Sequence, residues 1–594
     1  MQTTLPPSRA TIRGTLFATL ALAAVAALHA LSIPVSIWEY DECLFALGVE
    51  HYQPLAHHPP PPGYPIYMGF AKLVNLVTHA PFDALRWTSI IGVVAGLIAF
   101  AFAFRALTDG KIGVLASCLL YACPALLVSG TLSLSDSGAL ALFGFAIWAC
   151  ARGNPFVMAI ACAATIGWRA QFCVAIVPMF VVAVLMLRTW RDRINALATF
   201  ALTCVAWLLP LVAATGGTEP FTNWIFGQAA YYAAHDADMS RSGYSKGLIA
   251  LRFIAHPWGP KWLALPLLAA AAAGVLLLMR RRNLRALPLL VGCSVYLAFA
   301  LATMDPADAV RYAIPSLPIV ALLAAVTLSI IPLEILSLGI PAAYAAGAFL
   351  YAYPVLGART TSIAPPTQAA SWIRTHLPKN VVVLMDPPLK PHAEYLLRDR
   401  RVMRTDAGLA QFGGDPSTPI VFYADGERMG APGVTFRWPD TDAYRKLTRQ
   451  HYGAVSVIPL PPSQRYKVIS GVYPLERQRS GHSWRWLAAR ATIELPNLGG
   501  TQARIVFRTP PEYPLSKNRV RVRTGNYETT VTLGKNAAAT AIVPLAQNAP
   551  TQITIEPEQT FVPANVPGAN NRDLRVLSVT ITSIEQLGAR PGAG

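Results

Sequence analysis

WEYDECLFALGVEHYQPLAHHPPPPGYPIY, residues 38–67, follows directly on an apolar run, Leu16 to Ile33, long enough to cross a membrane. It carries adjacent carboxylates, Asp41 and Glu42, then His57 and His58, then four prolines and Gly63. The prolines, Pro59 to Pro62, are stiff and extended and cannot donate backbone hydrogen bonds. A crossing run with rigid, charged chemistry set just beyond it decides the class of fold.

Composition agrees. Of 594 residues, 54% are hydrophobic and 13% charged, with a mean hydropathy of +0.40. That balance belongs to a polytopic membrane protein. The long apolar runs stop near Val355, and composition after about Arg359 is that of a soluble protein. The expected domains are a helical membrane domain over 1–358, a small external α/β region over 359–470 and an external β-sandwich over 471–594. The net charge is +18. No basic stripe interleaved with aromatics occurs, so cationic loops facing an anionic leaflet account for the charge, and nucleic acid is not an expected partner. All eight cysteines lie in the membrane half and no metal-type CxxC occurs, so they read as small buried hydrophobes.

Apolar runs of about 17–22 residues give about eleven spans, from 14–34 to 335–355. Short loops rich in Arg and Lys set the orientation: Arg9 and Arg13, Arg188 to Arg193 and the Arg280–Arg285 cluster fall on one side. This predicts an inner or plasma membrane protein with its N-terminus cytoplasmic and its C-terminal region external, or periplasmic. The first run is longer than a signal peptide's core and more spans follow, so it reads as a retained span. Tyr64 to Thr78 is apolar but short, with Ile66, Phe70, Leu73 and Val77 on one face, which suits a helix lying in the interface.

Asp41 and Glu42 then lie on the outer surface at the start of a short helix. Two readings stand: they cap the helix, where carboxylates meet the positive end of its dipole, or they do chemistry. TLSLSDSGALALFG places Asp136 at the outer end of a span, as a helix cap or as a polar group facing a site. IGWRAQF places Arg169 at the outer end of another, as a snorkelling cation or as an anion ligand. TMDPADAVRYAIPSLP places Asp308, Arg311 and Tyr312 just outside a third, as an ion pair with a belt aromatic or as part of the same site.

In order and on a common face, these elements resemble the first external loop and outer surface of the GT-C glycosyltransferases. Those polytopic enzymes take a sugar from a polyprenyl-phosphate lipid. The resemblance is nearest to the bacterial branch of protein O-mannosyltransferases and aminoarabinose transferases. It implies that Asp41, with Glu42 beside it, is the catalytic base or acceptor-binding carboxylate. HHPPPPGYP is similar to the family's HxPPxxY-like element and RYAIPSLP to its RYxxPxxP element. It implies substrate contacts at His57, His58, Tyr64 and Asp136, and donor contacts at Arg169, Arg311 and Tyr312. It covers most of residues 10–355 in topology, through short motifs.

The chemistry suits these residues. Phosphate is a weakly basic leaving group, so one carboxylate that deprotonates the acceptor hydroxyl is sufficient, and direct displacement inverts the anomeric centre. Neighbouring Asp41 and Glu42 point about 100° apart on a helix, so one base plus one structural or acceptor contact is the better division. Cations must meet the phosphate. Besides Arg169, the long outer loop offers Tyr232, Arg241 and Lys246. No cofactor is required. A divalent cation is an open possibility, with HDAD (His235 to Asp238) the weak candidate. The expected partners are a polyprenyl-phosphate sugar, a glycan, lipid or protein acceptor, and membrane lipid.

In the soluble half, VVVLMD, IVFY and AVSVI read as buried strands, and alternating segments such as VRVR and QITIE as a sandwich. Trp484, Trp486 and Tyr513 either stack on sugars or sit in the core. A transporter or flippase of lipid-linked glycans is the alternative function. It predicts charges deep within spans, and the spans are nearly free of them. A non-catalytic scaffold leaves the first-loop chemistry without a purpose.

Overall fold

In the computed structural model the described residues are 9–108, 110–233, 241, 244–280, 284–331, 334–415, 417–426, 433–449, 453–477, 483–496, 498–511, 513–547, 549–567 and 573–588. The HDAD segment, Arg281 and Arg282 lie outside them. Two compact units emerge. One comprises Met1–Ala364 together with Pro439–Gln450, the other Pro365–Trp438 together with His451–Gly594.

The first unit is helical. Among the described residues, five helices are long and apolar enough to cross a membrane: Pro81–Leu107, Trp190–Ala214, Lys261–Arg280, Leu284–Thr303 and Gly339–His376. Pro306–Tyr312 with Ile314–Leu328 makes a sixth if the pair, bent by 44°, counts as one. Thr19–Leu31, Ile112–Ala122, Pro155–Trp168 and Ala170–Leu185 are apolar but shorter. Against the expected eleven spans, five or six helices among the described residues meet the length and composition of a full span. Proline explains one break: Pro124 starts a new six-residue helix, Pro124–Ser129, and Cys123 before it is extended. An apolar run read as one segment thus becomes two helices.

Small residues set the close contacts that position the site. A Cβ on Gly92, in Pro81–Leu107, would lie 2.6 Å from the backbone N of Gly138, in the helix Asp136–Arg152. Only glycine lets these two helices approach so closely. The helix Pro65–Thr78 buries Tyr67, Met68 and Ala71 and exposes Leu73, Leu76 and Val77. An apolar face turned outward on a short helix fits an interfacial position.

The second unit contains two sheets. β1 (Val382–Met385), β2 (Arg401–Arg404), β3 (Ile420–Asp425), β4 (Val434–Arg437) and β5 (Ala454–Pro459) are ordered β2-β1-β3-β5-β4. β1 pairs in parallel with β2 and β3, and β5 pairs antiparallel with β3 and β4. The uninterrupted apolar runs of β1, β3 and β5 are buried on both faces, as expected of central strands.

The second sheet has eight strands: β6 (Lys467–Arg477), β7 (Ser483–Leu495), β8 (Gln502–Arg508), β9 (Lys517–Thr524), β10 (Tyr527–Gly534), β11 (Ala538–Pro544), β12 (Thr551–Pro557) and β13 (Thr580–Leu587). Their order is β10-β9-β12-β7-β13-β8-β11, with β6 on β7. This corrects the expected sandwich. β10 and β11 stand at opposite ends of the order yet are joined through residues 535–537. One sheet must therefore curl on itself in a barrel-like manner. Alternation fixed the buried face, as in β9, where every second residue is buried, but carries no record of how many sheets share a core. Trp486 and Tyr513 are buried in that core against Phe561, and Trp484 packs on it. Their polar atoms are used internally: Trp486 donates to Glu476, and the Tyr513 hydroxyl accepts from Asn518. Trp486 and Tyr513 are core residues, and Trp484 is partly buried at its edge.

Candidate active site

The first loop is built around Glu42. Glu39 caps the helix Tyr40–Glu50, and Glu42 reaches back in a capping box. Its Oε2 accepts from the backbone N–H groups of Trp38 (2.8 Å) and Glu39 (2.9 Å), and its Oε1 from that of Ser133 (2.8 Å). The side chain is fully buried. Burial raises its pKa, and the three backbone donors work the other way. Glu42 thus pins the first loop to the turn that precedes Asp136. That turn is held again by Ser89, which donates to Leu132, by Tyr67 to Ser133, and by the Trp168 indole to Ser135. The backbone is fixed on both sides, so Asp136 begins its helix in a defined place.

Asp41, one residue before Glu42, points the other way. Its Oδ2 accepts from Arg311 Nη1 at 3.1 Å. Arg311 Nε also donates to Asp136 Oδ2 at 3.1 Å, and Arg311 Nη1 lies 3.7 Å from Asp308. Arg169 donates to the same Asp136 oxygen (3.1 Å), to Ser135 Oγ (2.8 Å) and to Gln171 Oε1 (3.1 Å). Gln171 bonds the Tyr296 hydroxyl, which donates to the backbone carbonyl of Tyr312. Burial opposes the charge of Arg169, but Asp136 beside it outweighs that and its pKa is raised. Exposure separates the members: the Asp136 side chain is 2% exposed, Arg169 4%, Arg311 13% and Asp41 19%. Asp41 is the most open member of this chain of pairs, and its second oxygen, Oδ1, carries no hydrogen bond among the described residues.

Four residues singled out in four distant sequence segments, Asp41, Asp136, Arg169 and Arg311, therefore form one ion-pair chain. Tyr64 joins it electrostatically. Burial raises its pKa, with Arg169, Asp41, Arg311 and Asp136 all acting on it, and its ring packs edge-on to Phe45 at 5.0 Å. The remaining candidates are engaged differently. His57 is exposed in a left-handed turn (φ 63), and His58 pairs its backbone with Gln53. Arg241 donates to the backbone carbonyls of Leu301 and Met304. Tyr232 and Lys246 are exposed on their helices. Gln171 and Tyr296 were not anticipated. Gln171 stands two residues beyond Arg169, and proximity to a site cation was its one signal.

For a divalent cation the arrangement is unfavourable. Asp41, Asp136 and Asp308 converge on the guanidinium of Arg311, which takes the place an ion would fill. Among the described residues no group of three His, Cys, Asp or Glu side chains is placed to hold a metal.

No protein-family profile matches the sequence, and no curated protein sequence matches it. Solved structures do. ArnT from Cupriavidus metallidurans, bound to undecaprenyl phosphate, matches with a TM-score of 0.51 at 14% identity, covering 75% of this chain and 98% of that one. Arabinofuranosyltransferase AftD from Mycobacteria matches at 13% identity, TM-score 0.43, over 97% of this chain and 59% of that one. The Archaeoglobus fulgidus oligosaccharyltransferase matches at 11% identity, TM-score 0.45, over 92% and 96%; another structure of it holds Zn and sulfate. The likeness to ArnT gives this chain the same fold.

Proposed function

We propose that the chain is an inverting glycosyltransferase that moves a sugar from a polyprenyl-phosphate lipid to a hydroxyl acceptor on the outer, periplasmic face of the membrane. The observation that carries this reading is the half-open Asp41 carboxylate, held by Arg311 against an otherwise buried ion-pair chain. The fold shared with ArnT, a structure with undecaprenyl phosphate bound, supports the lipid class.

Asp41 Oδ1 is the base. It takes the acceptor hydroxyl proton as that oxygen attacks the anomeric carbon. The bond from that carbon to the phosphate oxygen breaks, its electron pair stays with the phosphate, and the lipid monophosphate leaves. Arg311 fixes the Asp41 carboxylate and is the nearest guanidinium to it, so it senses the growing charge on the reacting groups. Asp136 and Arg169 hold Arg311 in place from the buried side. Glu42 takes no part in proton transfer, since both its oxygens are occupied by backbone donors. Tyr64 and Tyr312 border the same ion-pair chain and are the aromatic contacts proposed for substrate.

Purified protein in lipid, given a panel of radiolabelled polyprenyl-phosphate sugars and hydroxyl acceptors, is expected to transfer one of the sugars with inversion of the anomeric centre. Transfer with retention would overturn the displacement mechanism. Failure with every donor would overturn the reaction class.

A further inference from the structure

A further guanidinium reaches the site from a segment that the chain's order gives no reason to place there. Residues 439–450 lie between β4 and β5 of the second unit, yet they cluster with the first. Thr441 caps the short helix Asp442–Leu447 by accepting from the Tyr444 N–H at 3.1 Å. Ala443, Tyr444, Leu447 and Thr448 are buried. Tyr444 sits where Arg359 and Glu39 act on it, which places the segment beside the start of the first loop. Arg449 follows immediately. Its guanidinium lies 5.9 Å from the centre of the Tyr40 ring, and Tyr40 adjoins Asp41. Its ion pair is loose: Nη2 is 3.9 Å from Asp305, whose own carboxylate caps the Ala307 N–H.

The other cations at the site are already engaged. Arg169 has three side-chain acceptors and is buried. Arg311 faces three carboxylates. Arg241 and Arg252 donate to backbone carbonyls. The Arg449 side chain is 41% exposed; it meets the Tyr40 side chain, and Asp305, at 3.9 Å, is its one ion-pair partner among the described residues, with Asp308 also acting on it. A departing phosphate needs a guanidinium with open N–H groups, and Arg can bind it with two.

We infer that Arg449 is a substrate-binding residue that meets the phosphate of the lipid-linked donor beside Asp41. This rests on the function proposed above and names the group that takes the leaving phosphate. Burial opposes the charge of Arg449, but Tyr40, Asp308, Tyr312 and Asp305 around it outweigh that and raise its pKa, so the cation is present throughout the working pH range. The site then has two ends: a carboxylate for the acceptor proton, and a cation for the phosphate, supplied by a segment remote in sequence.

The test measures binding of a polyprenyl phosphate, and of the matching neutral polyprenol, to the full chain in nanodiscs. Wild type is compared with Arg449→Gln, Arg449→Lys and the control Arg445→Gln. Arg445 is on the same helix, exposed, and paired with Asp440. Arg449→Gln is expected to weaken phosphate binding about 10- to 100-fold, the loss of one or two charge-assisted bonds. Arg449→Lys should recover part of it, and polyprenol binding and the Arg445→Gln control should not change. Wild-type phosphate affinity in a folded Arg449→Gln variant would overturn the assignment and leave the proposed function standing. A wild-type protein that prefers polyprenol, or binds both lipids equally, would overturn the lipid-phosphate reading and this inference with it.

Discussion

Glu42 offers a sharp separation between structure and chemistry, because it stands next to the proposed base and is assigned no chemical part. Its carboxylate satisfies three backbone N–H groups, two buried and one half-buried, at 2.8–2.9 Å. Each buried donor left without a partner costs about 1–3 kcal/mol. Glu42→Ala orphans all three, a loss of about 3–9 kcal/mol against a typical total stability of about 5–15 kcal/mol. That variant is expected to be poorly recovered as folded protein. Glu42→Gln is milder. Its amide oxygen can face Trp38 and Glu39, leaving Ser133 alone, so the loss is about 1–3 kcal/mol. Thermal unfolding in detergent orders the three proteins. At a temperature where Glu42→Gln is fully folded, its transfer rate should stay close to wild type. A Glu42→Gln variant of unaltered stability that transfers no sugar would refute the reasoning and make Glu42 a chemical group.

Arg169→Ala strips one of two cations from Asp136, which is almost fully buried, and is expected to cost about 3–5 kcal/mol in stability; an unchanged unfolding temperature would show that Arg311 alone suffices. His256 has a pKa lowered to about 4, first by burial, then by the charges of Arg252, Lys446 and Lys261, with Asp442 opposing. The folded state therefore binds fewer protons there than the unfolded chain, and stability present above about pH 6.5 is lost as pH falls towards 4. His256→Phe should flatten the unfolding temperature across that window; an equal slope in both proteins would show that the loss has another source.

What the sequence discloses depends on how local the cause is. The first-loop helix and its acidic first turn follow from neighbours a few residues apart, as do the central strands β1, β3 and β5. Asp41, Asp136, Arg169 and Arg311 were legible as separate polar groups at helix ends. Their pairing was not, because nothing in a linear pattern says which helix ends meet. The division of labour between Asp41 and Glu42 was half visible: the local capping box takes one Glu42 oxygen, but the partner of the other, Ser133, lies far along the chain. Hydropathy is blind to proline, so the run broken at Pro124 read as one segment. Arg449 was hidden for the opposite reason. Its segment reads as ordinary polar chain between two strands, and only in the fold do Tyr444 and Leu447 bury and the segment cluster with the first unit.

The central claim is that Asp41 takes the acceptor proton. Its most direct test is single-turnover transfer from a bound polyprenyl-phosphate sugar by wild type and Asp41→Asn, with lipid-phosphate binding measured on the same samples. The account predicts a loss of about 10²- to 10⁴-fold in the transfer rate, with the lipid still bound and the protein still folded. Equal rates in the two proteins would contradict it.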